Sequence, residues 1–298
     1  MRDLTVVSGS GCSGLALAVS RLLNVVFQPV IVREFPDGEL YVRVPTDVNG
    51  RKVVLVECAG RRPNSAFMET IFTVKTLIKK GAREVILALP YFPYARQDAE
   101  FNPGESESLR IIADLLSDLG VSSVVTVDMH LHRFKSMNEI FRIKTVNVTA
   151  MRDLARYVSR NYPGVSLVIG PDEEAEQWAR LFAEELGSPY AVLEKERRGD
   201  EEVTVSGGVE ARGQVVIVDD IISTGATIAT TASSLKSKGV TDIIVACTHG
   251  LLVGGAESKI FTSGVKDIIT SDTITNPFAK VSVAPSLADG IARVVLDG

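Results

Sequence analysis

The chain has 298 residues, of which 45% are hydrophobic and 23% are charged, and its formal net charge is −5. This length provides for one large or two medium domains with a substantial apolar core. The acidic balance, without a basic patch or arm, argues against nucleic-acid binding. No apolar run is long enough to span a membrane, and no leader with a cleavage site begins the chain, so we expect a cytoplasmic protein that contacts no membrane.

The three cysteines, Cys12, Cys58 and Cys247, are few, odd in number and far apart. Proteins built on disulfides or zinc sites carry closely spaced, repeated cysteines. We therefore expect neither a disulfide framework nor a zinc site.

The first element is a strand at Leu4 to Val7, followed by a G-x-G-x-x-G turn over residues 9–14 and by a helix. Glu34 lies about 20 residues further on, where dinucleotide-binding proteins place an acid on the ribose. This match makes an NAD(P)-dependent oxidoreductase one alternative. Gly/Ser turns are common in α/β proteins, however, and this alternative leaves the later motifs unexplained.

The next turn, residues 34–39, carries an aromatic ring and several acids. Phe35 can stack on a base, while Asp37 and Glu39 can accept hydrogen bonds from an exocyclic amine. A solvated turn is the alternative interpretation.

Strands alternate with helices along most of the chain, which is typical of βαβ units around a parallel sheet. A helix predicted over residues 64–80 precedes a strand at 84–89, and the same succession recurs in a helix at 227–238 and a strand at 242–247. The pattern predicts an α/β fold with two similar doubly wound domains, each with a parallel sheet.

No long linker marks the domain boundary. We place it where the strand predicted at residues 144–148 gives way to a helix, so that the domains comprise residues 1–147 and 148–298. The last helix, predicted at residues 286–296, is a candidate to pack back onto the first domain.

The loop of residues 90–98 contains two prolines and three aromatic residues after a strand. A loop stiffened in this way can hold Arg96 and Gln97 at a fixed place. Arginine suits phosphate because its planar group presents several donors in a fixed geometry. The alternative is a loop used only for packing or subunit contact.

Polar residues gather at the ends of other strands. Asp128 and His130 follow the strand at residues 124–127, with His132 close by, and Asp172 follows a later strand. In an open α/β sheet ligands bind outside the carboxyl ends of strands, which favours a ligand or metal role for His130 over a structural one. Such groups suit Mg²⁺ when phosphates supply further oxygens.

The segment of residues 193–202 is almost wholly charged. A solvated loop or hairpin is the plain interpretation. The functional one is that Lys195 and Arg197 close over a charged transition state.

The most informative segment begins with the apolar strand at residues 215–218. Asp219 and Asp220 follow. Residues 223–227 then form a hydroxyl-rich turn that leads into a helix. The turn offers backbone N–H groups and a positive helix end to a phosphate, while the carboxylates can hold sugar hydroxyls or a metal. The chain contains no P-loop, so a nucleoside triphosphate would have to be held by other means.

Taken together, these motifs resemble the ribose-phosphate diphosphokinases, the enzymes that make 5-phosphoribosyl 1-diphosphate. The resemblance covers essentially the whole chain and rests on F-P-D-G-E at 35–39, P-Y-F-P-Y-A-R-Q-D at 90–98, D-M-H at 128–130, P-D at 171–172, K-E-R at 195–197 and the phosphoribosyl-binding motif at 219–227. The last motif is shared with phosphoribosyltransferases, whereas R-Q-D together with K-x-R is more specific.

The resemblance implies a role for each matching residue. ATP would be bound by Phe35, Asp37, Gly38, Glu39, Arg96 and Gln97, ribose 5-phosphate by Arg197, Asp219, Asp220, Ser223, Thr224, Gly225, Ala226 and Thr227, and Mg²⁺ by His130 and Asp172. Lys195 and Arg197 would be catalytic and would stabilise the diphosphoryl group in transfer. The resemblance also implies a homo-oligomer built from dimers.

Two segments depart from the pattern of bacterial relatives. The stretch of residues 170–176 has acids where those relatives commonly have glycines, and residues 131–134 differ after the histidine. Both segments look closer to archaeal members. This puts the bacterial pattern of allosteric control and assembly in doubt but leaves the chemistry intact. A phosphoribosyltransferase and a non-catalytic regulatory relative remain the alternatives.

Overall fold

The protein is described from a computed structural model, which covers residues 3–195, 203–205 and 213–296. The chain folds into two compact units, one of residues 1–149 with 283–298 and one of residues 150–282. The domain division at residues 147 and 148 stays a prediction. Within the described ranges, no helix combines the length and the apolar character that crossing a bilayer requires.

Helices and strands alternate along most of the chain, with runs of consecutive strands within residues 26–56 and 190–222. The strands are β1 (Leu4–Ser8), β2 (Val26–Pro29), β3 (Ile31–Glu34), β4 (Leu40–Arg43), β5 (Lys52–Val56), β6 (Glu84–Leu89), β7 (Ser123–Val127), β8 (Lys144–Val148), β9 (Val165–Gly170), β10 (Tyr190–Lys195), β11 (Val203–Val205), β12 (Gln214–Ile222), β13 (Asp242–Gly250), β14 (Val265–Ser271) and β15 (Ala279–Val281). The helices are α1 (Ser13–Leu23), α2 (Pro63–Lys79), α3 (Ser108–Leu119), α4 (Met151–Asn161), α5 (Glu176–Leu186), α6 (Ala226–Ser237), α7 (Ala256–Thr262) and α8 (Ala284–Leu296).

The first unit is built on a parallel sheet with the strand order β2-β1-β5-β6-β7-β8. Its central strands are continuous apolar runs because both faces are covered, and Val53 to Val56 are fully buried. Helices α2 and α3 pack on one face, and α1 and α8 pack together on the other. The result is a doubly wound domain.

A separate two-stranded sheet follows β2 in the chain. Strands β3 and β4 form a two-stranded antiparallel hairpin, with Glu34 opposite Leu40. The hairpin packs against α2 through β4. Its tip carries the aromatic and acidic turn of residues 35–39.

The second unit has the strand order β11-β10-β9-β12-β13-β14-β15, and every pair except β10 with β11 is parallel. Its apolar core includes residues of α6 and α7, while α4 and α5 pack against each other and against strands of the same sheet. Both units are thus α/β with parallel sheets, which confirms the predicted fold class.

Helix α8 packs closely against the sheet of the first unit. A Cβ atom at Gly290 would lie 2.9 Å from Cγ1 of both Val125 and Val148, and Leu287 and Ile291 are fully buried. The absence of a side chain at Gly290 therefore lets the helix approach the strands.

We expect Gly290→Val to destabilise the first unit by about 1–3 kcal/mol, because added methyl groups overpack a filled core. The measurement is urea unfolding followed by circular dichroism. Asp289→Val is the matched control, since Asp289 is exposed on the same helix. Equal stability of the two variants would contradict this account of α8.

The structure contains a disulfide between Cys12 and Cys58, a pairing that the number and spacing of the cysteines did not suggest. The two residues are 46 positions apart, but they follow the neighbouring strands β1 and β5. Parallel strands bring their carboxyl ends to one edge of the sheet, and this brings the cysteines together. Cys247 is a free, buried thiol.

Two buried acids, Glu57 and Glu69, lie close enough to repel each other, and Glu57 directly precedes Cys58 in the chain. Glu57 is fully buried, and neither of its carboxyl oxygens has a hydrogen-bond partner among the described residues. Burial, and then repulsion from Glu69, raise the pKa of Glu57 well above its usual range.

The raised pKa predicts a pH-dependent effect of Glu57→Gln. Above pH about 4.3 the unfolded chain releases a proton that folded Glu57 retains, so wild-type stability falls as pH rises. The variant lacks this loss, so its free energy of unfolding should rise relative to that of the wild type as the pH increases from 4 to 8. Urea unfolding at several pH values measures it. Parallel profiles would contradict the prediction, and Glu139→Gln, at an exposed site, is the control.

Candidate active site

The G-x-G-x-x-G turn is occupied by the protein's own acids. A Cβ atom at Gly9 would overlap the carboxylate of Glu57, so glycine is required there for packing. The backbone N–H and the hydroxyl of Ser10 donate to the carboxylate of Glu69 at 2.5 and 2.6 Å. A carboxylate therefore takes donors that a dinucleotide would need, which argues against the oxidoreductase alternative.

The segment at residues 219–227 forms a strand, a short turn and a helix. Strand β12 runs through Ile222, since Ile221 and Ile222 still pair with His249 and Gly250 of β13. Asp219 and Asp220 thus lie within the strand rather than after it, which corrects the predicted strand end. Ser223, Thr224 and Gly225 make the turn, and α6 begins at Ala226.

The turn presents a helix N-terminus to solvent. Thr224, Ala226 and Thr227 are exposed and Ser223 is half-buried. The first N–H groups of a helix have no intrahelical partner and carry a partial positive charge. Together with the three hydroxyl residues of this segment, Ser223, Thr224 and Thr227, these donors form a suitable cradle for a phosphate.

The backbone of the turn is held from behind by the segment after β13. The N–H groups of Leu252 and Val253 donate to the carbonyls of Ile222 and Ser223 at 3.0 and 2.9 Å, and Nζ of Lys259 donates to the carbonyl of Thr224 at 3.1 Å. Because the carbonyls are engaged on this side, the turn keeps one conformation.

Gly225 is the point of closest packing in the turn. Its φ of 71° lies in the left-handed region, and a Cβ atom there would lie 3.0 Å from Cδ1 of Ile260 and 3.1 Å from the carbonyl oxygen of Ala256. Only glycine satisfies both conditions without strain.

The acids of β12 are crowded. Asp220 is buried. The pKa of Asp219 is raised well above its usual range, first by burial and then by repulsion from Asp220 and Asp172. Carboxylates gathered in this way are relieved by a cation or by hydroxyl donors. The Asp172 side chain also accepts from the N–H of Ala175 at 3.2 Å, which fixes its orientation.

Strand register places Lys195 at the same edge of the sheet. Gly170 of β9 pairs with Val192 of β10, and Ile169 pairs with Ile217 of β12. Asp172 follows β9, Lys195 ends β10, and the two acids lie among the last residues of β12, so all of them are towards the carboxyl ends of neighbouring strands. Arg197 lies outside the described residues, and its role stays a prediction.

The hairpin tip in the first unit is an ordered turn. The N–H of Phe35 donates to the carbonyl of Glu39 at 2.8 Å, and the N–H of Gly38 donates to the carbonyl of Phe35 at 2.9 Å. Gly38 has a φ of 92°. The Phe35 ring is 40% exposed and packs edge-on to Tyr41, which leaves aromatic surface for a base to stack on.

The loop of residues 90–98 is anchored by its own buried side chains. Tyr91, Phe92 and Ala95 are buried, whereas Arg96 is exposed. Arg133 pairs with the buried carboxylate of Asp98 at 2.5 Å, which fixes the end of the loop. The exposed Arg96 therefore lies between buried residues that fix the backbone of the loop.

Gln97 and His130 both already contact other residues of the protein. Gln97 donates to the carbonyl of Ala99 and to Glu105, both at 3.2 Å, so its amide is already engaged. His130 follows β7, and its ring centroid lies 3.7 Å from that of His132. Asp128, two residues earlier, has a φ of 39°, a strained turn for a residue other than glycine.

Comparison with known proteins supports one family for the whole chain. The model of the N-terminal domain of ribose phosphate pyrophosphokinase matches residues 4–120, and that of the phosphoribosyl transferase domain matches residues 139–281. A ribose-phosphate pyrophosphokinase of Methanopyrus kandleri is 39% identical over 91% of this chain and 93% of its own length. The chain belongs to the ribose-phosphate pyrophosphokinase family.

Other members of the ribose-phosphate pyrophosphokinase family are similar over nearly their full length. The proteins of Archaeoglobus fulgidus and Brucella melitensis are 35% and 31% identical over 96% and 95% of this chain and over 100% and 91% of their own lengths. A crystal structure of phosphoribosylpyrophosphate synthetase from Mycobacterium smegmatis superposes with a TM-score of 0.86, at 29% identity and full coverage of both chains. Archaeal and bacterial relatives are thus both close.

Membership of the ribose-phosphate pyrophosphokinase family accounts for the motifs but leaves some neighbouring residues unexplained. The sequence analysis missed the support behind the phosphate turn, Lys259 with Leu252 and Val253, although Gly254 and Gly255 signal an unusual backbone there.

Proposed function

We propose that the protein transfers the diphosphoryl group of Mg·ATP to the 1-hydroxyl of ribose 5-phosphate, giving 5-phosphoribosyl 1-diphosphate and AMP. The observation that carries the proposal is the β12–α6 turn, where two acids precede a helix N-terminus whose donors face solvent. One end of this feature fits a phosphate and the other fits sugar hydroxyls.

In the second unit, ribose 5-phosphate would bind along this feature. The 5-phosphate would accept hydrogen bonds from the N–H groups and hydroxyls of residues 223–227, because a helix N-terminus favours an anion. Asp219 and Asp220 would accept hydrogen bonds from the ribose hydroxyls. Holding the sugar at both ends leaves its 1-hydroxyl as the free nucleophile.

In the first unit, ATP would bind to the hairpin tip and the loop of residues 90–98. The exposed ring of Phe35 would stack on adenine, with Asp37, Gly38 and Glu39 beside it. Arg96 would bind the phosphates, since it is exposed and no described acid pairs with it. Gln97 would have to exchange one of its present hydrogen bonds to join it.

The chemistry of diphosphoryl transfer needs charge neutralisation more than covalent help from the protein. Lys195 and Arg197 would supply positive charge to the group in flight, and AMP would leave. Bound Mg²⁺ would neutralise phosphate charge. The crowded carboxylates around Asp219 and Asp172 fit a hard cation, and His130 is the proposed ligand of the first unit.

The assay that tests the proposal contains purified protein, Mg·ATP and ribose 5-phosphate, with no base. We expect equal amounts of AMP and 5-phosphoribosyl 1-diphosphate. A phosphoribosyltransferase would give no AMP without a base, and a non-catalytic relative would give neither product. Omitting Mg²⁺ should abolish the reaction.

The proposal also covers the cellular location and the oligomeric state of the protein. We infer a cytoplasmic homo-oligomer built from dimers, as the family resemblance implies. Sedimentation analysis of the purified protein measures its subunit number, and a monomer at working concentration would contradict this part.

A further inference from the structure

His130 and His132 form a pair shortly after β7, at the edge of the first unit where its parallel strands end. They are two of the three histidines of the chain. The third, His249, is buried in the second unit, with its Nδ1 2.9 Å from the hydroxyl oxygen of Thr273. The proposed function assigns His130 to Mg²⁺ but gives His132 no task, so a reason for the second histidine has to come from its contacts.

Side chains alternate in direction along residues 129–132. Met129 is buried and Leu131 packs against the same apolar core of the first unit, whereas His130 and His132 are half-buried. Where side chains alternate in this way, residues i and i+2 lie on one face of the segment. The alternation therefore brings both imidazole rings to the same side, within reach of each other.

The backbone is fixed on both sides of the histidine pair. Before it, the N–H of Met129 donates to Oδ1 of Asn147 at 3.0 Å. After it, Arg133 pairs with the buried carboxylate of Asp98 at 2.5 Å. Because neighbouring elements hold the segment at both ends, the two rings are kept together, and a ligand that binds both loses little affinity to ordering of the chain.

The two rings are in close contact. Their centroids lie 3.7 Å apart, and their planes are nearly perpendicular, at 82°. Nε2 of His132 lies 3.0 Å from Nδ1 of His130 and 2.5 Å from its Nε2. Imidazole nitrogens that carry lone pairs repel each other at such distances, so the contact favours a proton or a metal ion bound by both rings.

A divalent metal ion fits this pair of donors. An ion about 2.1 Å from each of two imidazole nitrogens holds those nitrogens about 3.0–3.4 Å apart. The outer torsion of a histidine side chain is soft, so ring rotation can turn one nitrogen of each ring towards a shared ion while the backbone stays in place. Imidazole nitrogens suit Zn²⁺, Co²⁺ and Ni²⁺, whereas Mg²⁺ prefers oxygen ligands.

We propose that His130 and His132 together bind one divalent ion of the borderline class, Zn²⁺, Co²⁺ or Ni²⁺, and that His132 selects this class over Mg²⁺. The inference deepens the proposed function, on which it rests for the use of the metal, by adding a second ligand beside His130. Two protein nitrogens leave further coordination positions of the ion open, and water or phosphate oxygens would fill them.

Calorimetric titration with Zn²⁺, without ATP and ribose 5-phosphate, tests the site. We expect the wild type to bind one ion per chain in a large excess of Mg²⁺. His132→Phe keeps a ring but removes both nitrogens, and it should raise the Kd of Zn²⁺ at least about tenfold, since even the loss of a residue that only orients a ligand costs about 10- to 100-fold in metal affinity. A Kd within about twofold of the wild-type value overturns the proposal. His132→Gln, which is polar, should lose affinity in the same way and decides if the phenyl ring is not tolerated.

A double variant distinguishes one shared ion from two separate ones. If both imidazoles hold the same ion, either single variant loses most of the affinity, and His130→Phe with His132→Phe should bind only slightly more weakly than either, because one imidazole alone is a weak ligand. If each histidine binds an ion of its own, a single variant keeps a site of unchanged Kd. That outcome contradicts the proposal.

Co²⁺ reports on the ligands directly, because its visible absorption changes when nitrogen ligands replace water. Wild-type protein should develop a new absorption band that one equivalent of Zn²⁺ removes, and His132→Phe should not develop it. Lys135→Ala, at an exposed position of the same segment, is the control and should keep both the band and the Kd of Zn²⁺. The same band in His132→Phe would assign the metal to other residues.

These binding measurements require no turnover. If the protein forms no AMP yet binds Zn²⁺ through both histidines, the proposed function fails and the metal site stands. If it forms AMP with Mg²⁺ while the Kd of Zn²⁺ is the same in the wild type and in His132→Phe, the proposed function stands and the role of His132 fails.

Discussion

Lys195→Ala should lower kcat by about 10²- to 10³-fold, with little change in the KM of either substrate. Lys195 ends β10, next to the strand that leads to Asp172. A cation that meets charge developed only in the transition state contributes to kcat rather than to substrate binding, and losing one costs about 3–4 kcal/mol. Initial rates of AMP formation at saturating Mg·ATP and ribose 5-phosphate measure the effect.

Two further variants show whether the loss belongs to this position. Lys266→Ala removes another lysine of the second unit, one that pairs with Asp242 at 3.1 Å near the amino ends of the strands. It should keep wild-type kcat. Lys195→Arg preserves the charge and should recover part of the loss. Unchanged turnover in Lys195→Ala would remove Lys195 from the mechanism.

The sequence predicts features formed by neighbouring residues, and it misses features that depend on contacts between residues far apart in the chain. The strand at residues 215–218 and the helix after it are local patterns, and both are present in the structure. The extension of β12 to Ile222 depends on pairing with β13, a contact between distant residues. Spacing alone could not show it.

The Cys12–Cys58 bond illustrates the same limit for side chains. The two cysteines lie far apart in sequence, and only the pairing of β1 with β5 brings the ends of these strands together. The G-x-G-x-x-G turn misled for a similar reason, because its glycine makes room for Glu57, which follows another strand. A motif states which residues follow one another but not which residues face it.

The second large effect is expected in the turn between β12 and α6, which would bind the 5-phosphate. We expect Gly225→Ala to raise the KM of ribose 5-phosphate by about 10- to 100-fold, equivalent to about 1.4–2.8 kcal/mol. A side chain at a φ of 71° is strained, and the added Cβ atom would press on the carbonyl of Ala256 at 3.1 Å. The turn must therefore shift, and its N–H groups no longer converge on the phosphate.

Gly239→Ala is the matched control, because Gly239 follows the other end of α6, has a φ of 89°, and has no atom within 4 Å of its Cβ position. It carries the same backbone strain without the contact at the turn. We expect it to lower stability but to leave the KM of ribose 5-phosphate unchanged. If both variants raised the KM of ribose 5-phosphate equally, backbone strain alone would explain the Gly225 effect. A wild-type KM in Gly225→Ala would mean that the phosphate binds elsewhere.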